Sequence, residues 1–462
     1  MTSFRDHLKD LAESDDLLTV SEPIHWNEEA ATIAAEALRN NCAALRFEST
    51  PGTVRLASGV YAGPDQISSR NHRPRARIGE ALELGREHDY VGLLDALSKR
   101  KRRPLDQVSF VDPAATVNVS DDLHSLGLPT VDTNGRQAVT LGMIAVERDG
   151  RTSWAPVHGE IHRRSRLRLT VPQRFVDWSD GERSASIMLG LSAASLIAAL
   201  QGWILDRTTP AVPELAAGLG NVPLADVDGR VVPADAEVRI DGRIDVGDKA
   251  DGPSAIWERA CETTSIAVRT DNIVTRSSPI IPFVPLSAPL TDDLHLTSLV
   301  KSAELYRRIN SYWGISPASW VQLPVENRLG VCLVSSEILY SGFEWQLANA
   351  LFSFSSLFDK VLILDEQIDP TNLARAFDDI WVKAHPGNDW VFSDPNAPAA
   401  SAPMYRQDGK TGSRLYISAT WDPRWDEEYI APRVDFESSF PEDIRESVLE
   451  RWADLKSEGI IK

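Results

Sequence analysis

The chain has 462 residues, too many for one core of ordinary size, so two or three domains are expected. Apolar residues make up 42% and charged residues 25%, as in folded globular proteins, and the formal net charge of −19 argues against nucleic acid or an anionic membrane as a partner. Cys42, Cys261 and Cys332 lack CxxC spacing and form neither a disulfide framework nor a zinc site, the charged start MTSFRDHLKDLAES reads as no signal peptide, and no run is long enough to span a membrane, so a reducing, cytoplasmic setting is expected.

In chain order, Phe4–Leu11 reads as an amphipathic helix and Glu29–Asn40 as a second, with Ala31, Ile33, Ala34, Ala37 and Leu38 near helical spacing. Cys42–Phe47 and Val54–Tyr61 read as strands around the turn Ser49–Gly52, and Gly79–Leu97 as one helix. The basic run Lys99–Arg103 reads as a solvated segment rather than a nucleic-acid patch. From about Val108 the pattern turns to strands: Thr140–Glu147, Trp154–Arg163, Ser186–Leu191, Ala236–Ile244, Ser265–Arg269 and Ile280–Phe283, with a reversal expected at Asp241-Gly242. Ser186–Leu200 reads as a buried strand and helix broken at Gly190 and Ser192, and Ala193–Gln201 and Val212–Leu219 as short helices set into the sheet. From about Leu296 the types alternate: helix His295–Ile309, strand Gly330–Val334, helix Glu344–Leu357, strand Lys360–Leu364, helix Asn372–Lys383. Asp394–Ala402 reads as a loop. A last helix opens at Phe440-Pro441-Glu442-Asp443, with Ile444, Val448, Leu449, Trp452 and Leu455 on one stripe.

The stretch Ser153–Arg164, SWAPVHGEIHRR, puts His158, Glu160 and His162 at alternate positions, hence on one face of a strand. Three readings stay open. A metal site needs further ligands, and same-face neighbours lie about 7 Å apart, so one ion does not take both histidines from a straight strand. An acid–base role suits His158, because imidazole ordinarily titrates near neutrality, with Asp251 or Glu258 to orient it. The third reading is a plain polar face paired with Arg163 and Arg164.

Taken together, the chain resembles the UbiD family, reversible decarboxylases that use prenylated flavin mononucleotide. The resemblance rests on an order of segments: Cys42–Phe47, Val139–Ile144, Val238–Gly242 followed by Ala250–Pro253, Val361–Pro370, Ser413–Thr420, and the helix opening at Phe440. It implies an α/β fold of α+β type in three parts: an N-terminal α/β unit over 1–107, a split β-barrel of flavin-binding type over 108–294, and a C-terminal α/β oligomerisation domain over 295–462 that makes a homodimer.

Carried over position by position, the family's metal-holding Asn falls on Ser153, the Arg of its Glu-Arg-Glu network on His158, and its metal-binding His on Arg174. The metal-binding Glu falls near Ala225, beside Asp226. The first network glutamate falls on Asp251 and the second on Ile256, with Glu258 two residues on; the phosphate-contacting Lys falls on Arg414. Ser153, Arg174 and Ala225 do not make a divalent-ion ligand set, so no metal is expected. Arg174 and Arg414 are expected to hold the flavin phosphate, guanidinium groups being phosphate binders; the alternative is that Arg174 fills the vacated place with a salt bridge. Trp154, Trp203 and Trp257 fall near the site and either shape an aromatic pocket or are plain core residues.

The function implied is (de)carboxylation of an aromatic or α,β-unsaturated carboxylic acid, with His158, Asp251 and Glu258 catalytic and Ser153, Arg174 and Arg414 binding the cofactor. Two alternatives stand beside it: an accessory, non-catalytic homologue that has lost flavin and metal, and a cofactor-independent lyase using His158 and Asp251 in the same cavity.

Overall fold

The computed structural model describes residues 3–25, 29–62, 75–85, 89–99, 101–114, 116–118, 122–131, 135–205, 211–246, 255–286, 290–366, 368, 373–403, 411–421 and 439–457. Asp251 lies outside them, as do Gln367, Asp369 and Pro370 of the 361–370 segment.

Helix α1 (Phe4–Glu13) starts at a capping box between Ser3 and Asp6 and buries Phe4, Leu8 and Leu11. It is followed by β1 (Leu17–Val20), α2 (Glu29–Arg39), β2 (Ala44–Phe47) and β3 (Arg55–Ser58). The segment expected as one helix over Gly79–Leu97 is two, α3 (Ala76–Ala81) and α4 (Tyr90–Lys99). Leu82 ends the first and Glu83 and Gly85 take positive φ, a conformation a continuous helix does not contain.

After β4 (Thr116–Asn118) come the long strands β5 (Ala138–Arg148), β6 (Arg151–Arg163) and β7 (Arg166–Pro172), then α5 (Gln173–Ser179), β8 (Ser184–Leu189), α6 (Ala193–Leu200) and α7 (Val212–Leu219). The hairpin β9 (Leu224–Val227) and β10 (Arg230–Pro233), β11 (Val238–Val246) and β12 (Thr263–Arg276) follow. Strands β11-β8-β5-β6-β7-β12 hydrogen-bond in that order and β12 pairs back to β11, closing a six-stranded antiparallel barrel. Closure removes the sheet edges. Asp241-Gly242 is not a reversal. β11 runs straight through it with a bulge against β12, and a side chain on Gly242 would lie 2.3 Å from the Arg269 carbonyl. The expected break at Gly190 and Ser192 is present: Gly190 has φ +70° and Ser192 caps α6. The strand β13 (Ile280–Pro282) leaves the barrel and pairs with β3, completing the sheet β1-β2-β3-β13.

Helix α8 (Asp292–Tyr312) leads into β14 (Ala318–Gln322), β15 (Val331–Ser336), α9 (Phe343–Phe354), β16 (Lys360–Asp365), α10 (Leu373–Lys383), β17 (Trp390–Pro398) and β18 (Thr411–Ala419). These make a five-stranded sheet, β14-β15-β16-β18-β17. The tract expected as a loop from Asp394 is mostly strand: β17 continues to Pro398 as an edge, where register shifts tolerate its prolines. The last helix, α11 (Glu442–Ser457), belongs to a separate compact unit and exposes Ile444, Val448, Leu449 and Trp452. No helix among the described residues is long and apolar enough to cross a membrane.

Candidate active site

Strand β6 carries the HGEIH stretch, and its neighbours separate the three polar groups. His158 is buried, and its Nδ1 lies 2.8 Å from Oε1 of Glu258. Glu258 sits on a 3-10 turn, Ile256–Ala260, where the same oxygen accepts the Ala255 N–H at 2.9 Å. That turn is anchored from α8: Asp293 Oδ2 accepts the Ile256 N–H at 3.0 Å, while its Oδ1 accepts the Thr291 hydroxyl at 2.6 Å. A second tether runs from the Arg259 guanidinium to the Ala402 carbonyl at 2.6 Å. Two of the three residues expected to act together therefore touch.

Opposite His158, β5 holds one extra residue. Val139 pairs with Gly159 and Gly142 with Val157, so Thr140 and Leu141 face His158 between them. Such a bulge bends a strand and re-aims its side chains. Thr140, Leu141, Gly142, Pro156 and Val157 form one wall of a pocket, and Trp257, Asp293, Leu296 and Thr297 much of the rest. The pocket has about 20 Å³, room for about one water.

Glu160 pairs with Arg136, and with Arg168 at 3.8 Å, not with Arg163 or Arg164. Arg164 instead reaches Asp122 at 2.8 Å. His162 is half-exposed. Desolvation first, then the charges of Arg168, Arg163 and Arg136, lower its pKa and keep it neutral. The motif is thus a histidine–glutamate pair, a separate arginine-paired glutamate and a rim histidine. Among the described residues no group of three His, Cys, Asp or Glu side chains converges as metal ligands.

Ser153 is fully buried, with no hydrogen-bond partner for its hydroxyl among the described residues. Ser153 lies five residues before His158 on β6, in the stretch that pairs regularly with β5 from Val157 to Arg151. Ala225 is buried and apolar, and Asp226 accepts the Gly229 N–H in the β9–β10 turn. Ser153, Arg174 and Ala225 thus do not fit a divalent ion.

Arg174, at the start of α5, is exposed and donates to the Trp203 carbonyl at 3.5 Å. It makes no ion pair among the described residues. Arg414 lies over the Phe352 ring at 5.3 Å, on β18 of the C-terminal sheet. Trp154 and Trp203 are core residues, donating to the Val231 carbonyl at 2.7 Å and the Trp154 carbonyl at 2.5 Å. Trp257 alone of the three lines the pocket.

Sequence reasoning missed Asp293 and a buried charge chain on α8. Lys301 Nζ lies 2.7 Å from Glu304, and Arg308 reaches Glu304 at 3.4 Å and stacks 4.1 Å from the Phe354 ring. The spacing Lys-x-x-Glu-x-x-x-Arg carried that signal. Burial pushes the Cys261 thiol up to about 12, with a smaller push from Glu258 that Lys301 and Arg174 oppose.

Residues 8–97 and 294–419 match the N-terminal and C-terminal domains of the family described as 3-octaprenyl-4-hydroxybenzoate carboxy-lyase, UbiD. Ferulic acid decarboxylase 1 of Saccharomyces cerevisiae is 24% identical over 169 residues, covering 34% of this chain and 34% of that protein. A phenolic acid decarboxylase of Sedimentibacter hydroxybenzoicus is 27% identical over 171 residues, 35% of this chain and 34% of its own. The matched segment thus spans about a third of each curated relative. Among solved structures, the UbiD-class enzyme HmfF of Pelotomaculum thermopropionicum, in complex with FMN, superposes with TM-score 0.78 at 18% identity, over 96% of this chain and 99% of that one. With both terminal domains matched and the barrel between them sharing the fold, the chain belongs to the UbiD family.

Proposed function

We propose that this protein is a UbiD-type carboxy-lyase acting on an aromatic or α,β-unsaturated carboxylic acid, with His158 as its proton-transfer group. The observation that carries the reading is the buried 2.8 Å contact between His158 and Glu258 beside the barrel pocket. Loss of CO2 breaks the bond to the carboxyl carbon, and the vacated carbon takes up a proton. Glu258 holds the imidazole by Nδ1, which leaves Nε2 to deliver that proton and to take it back in the reverse direction. When bound, prenylated FMN supplies the electron sink that the bond cleavage requires. Arg174 and Arg414 are the groups assigned to its phosphate, and Asp251 remains assigned to the same site from its sequence position. Trp257 and Leu296 provide the apolar wall for an unsaturated acid. We keep the working division 1–107, 108–294 and 295–462, and assign the exposed stripe of α11 to a homodimer.

A second reading is favoured by one observation. Ser153, Arg174 and Ala225 stand where the family's metal-holding residues fall, as expected of an accessory homologue without cofactor. Co-expression with a flavin prenyltransferase, followed by absorption spectroscopy of the purified protein, separates the two. The lyase reading expects a yellow to brown protein that Arg174→Ala bleaches roughly tenfold or more, through loss of a charged hydrogen bond worth about 1.5–3 kcal/mol, while chelators leave it unchanged. A colourless wild type, without turnover on a panel of cinnamic and hydroxybenzoic acids, would overturn it.

A further inference from the structure

The face of α8 turned away from the barrel pocket carries a polar cluster that the proposed reaction does not use. Asp293, Leu296 and Thr297 face the pocket, while His295, Ser298 and Ser302 project from the opposite side of the helix towards β14. Arg75 reaches this side from the N-terminal unit. It is 1% exposed, donates from Nη2 to Ser298 Oγ at 2.8 Å, and lies 4.7 Å from the Tyr90 ring centroid. The Ser298 hydroxyl donates to the Leu323 carbonyl at 2.6 Å, so it offers Arg75 an oxygen but no charge. Arg75 makes no ion pair among the described residues, and its buried Nε and Nη1 have no hydrogen-bond partner.

His295 is 3% exposed, and both its ring nitrogens are also without a hydrogen-bond partner among the described residues. Burial, then the charges of Arg75 and Arg77, push it down to about 3, so the ring is a neutral imidazole with one donor and one acceptor. Buried polar atoms are rarely left unpaired, and a buried cation without a counter-ion rarer still. A water would satisfy single N–H groups but would leave the guanidinium charge uncompensated.

We propose that Arg75 and His295 form a buried binding site for a small planar carboxylate-type anion, bicarbonate or formate in size, distinct from the barrel pocket. The negative oxygens meet the free guanidinium N–H groups, and His295 completes the set. Bicarbonate adds an O–H for the acceptor nitrogen of the ring, which formate lacks.

The test is the thermal midpoint of the full-length protein at fixed ionic strength and pH 8, with potassium gluconate replaced stepwise by bicarbonate, formate or chloride. A saturable rise with bicarbonate is expected, since a ligand bound by the folded state alone stabilises it by mass action. A smaller rise with formate assigns dissolved bicarbonate as the source, and an equal rise assigns an organic carboxylate. His295→Phe should weaken the apparent affinity about tenfold, and Arg75→Met should abolish the response. Should Arg75→Met not fold, the His295→Phe shift and line broadening of 13C-bicarbonate by the wild type still decide. No rise in the wild type, an equal rise with chloride, or a response unchanged by His295→Phe would overturn the proposal.

Discussion

Replacing Glu258 tests the proposed proton relay most directly. Its carboxylate makes two contacts, 2.8 Å to His158 Nδ1 and 2.9 Å to the Ala255 N–H, both in a largely buried setting. A hydrogen bond to a charged group is worth about 1.5–3 kcal/mol and a neutral one about 0.5–1.5. Glu258→Gln keeps an acceptor and loses the charge, a difference of about 1 kcal/mol, so turnover should fall roughly fivefold. Glu258→Ala loses the orienting contact altogether, and turnover should fall by roughly 10- to 150-fold. His158→Gln removes the proton carrier itself, and a positioned acid–base group contributes about 10²–10⁴-fold. Because Glu258 acts only through His158, the double variant His158→Gln/Glu258→Ala should be no slower than His158→Gln alone. The assay is release of CO2 under single-turnover conditions, with flavin content measured on each variant. Multiplicative losses in the double variant, or a silent Glu258→Ala, would refute the relay.

Two further outcomes follow from burial. Truncation at Ser439 removes α11 with its exposed Ile444, Val448, Leu449 and Trp452, and should leave monomer or aggregate by light scattering; an unchanged dimer contradicts the assignment. Asp235 is buried, neither carboxyl oxygen meets a side-chain partner among the described residues, and desolvation raises its pKa to about 6, partly opposed by its own backbone N–H and then by Arg276. Between pH 4 and 6 the folded form therefore holds a proton that the unfolded form has lost, and its contribution to stability declines as pH rises through that window. Asp235→Asn should flatten the decline and raise the melting temperature more at pH 7.5 than at pH 4.5; an equal change at both pH values would refute this.

Strands β5 and β8 were legible because each buries most of its length and carries mostly small or apolar residues. What stayed hidden depended on partners rather than on pattern. The Asp241-Gly242 pair carries turn chemistry, yet two neighbouring strands hold it straight, and glycine is there to let the Arg269 carbonyl approach. Strand β7 escaped notice because Arg166 and Arg168 alternate with Leu167 and Leu169 in a stretch that reads as merely basic. At the site, His158 stood out through the alternating HGEIH pattern and Glu258 through its place two residues beyond the family's glutamate position, and their contact spans a hundred residues that no local rule bridges. Asp293 was missed because its role, accepting a backbone N–H from a turn 37 residues earlier, leaves no spacing signature. For Ser153, alignment transfers a position, whereas the pairing of β6 with its neighbours decides what surrounds it.

Gly159, between His158 and Glu160, sharpens that last point into a prediction. An added Cβ there would sit 2.0 Å from the Arg168 carbonyl oxygen and 2.8 Å from the Leu169 Cα, both backbone atoms of the paired strand β7. Backbone in a closed barrel has no rotamer to change, so the two strands must separate. Overpacking of this kind costs about 1–3 kcal/mol and often more. Separation would move both polar groups that flank the glycine, the Glu258-held imidazole and the Arg136-held carboxylate, since each depends on where β6 lies against its neighbours. Gly220 is the control. Its φ is −162°, and an added Cβ would meet only the Ala194 side chain, at an ordinary 3.4 Å. Gly220→Ala should therefore leave the melting temperature and turnover within error of wild type, while Gly159→Ala lowers the first by several degrees and the second by at least tenfold. If the two variants behave alike, the close β6–β7 approach is not what positions His158, and the relay must be held chiefly by the turn carrying Glu258.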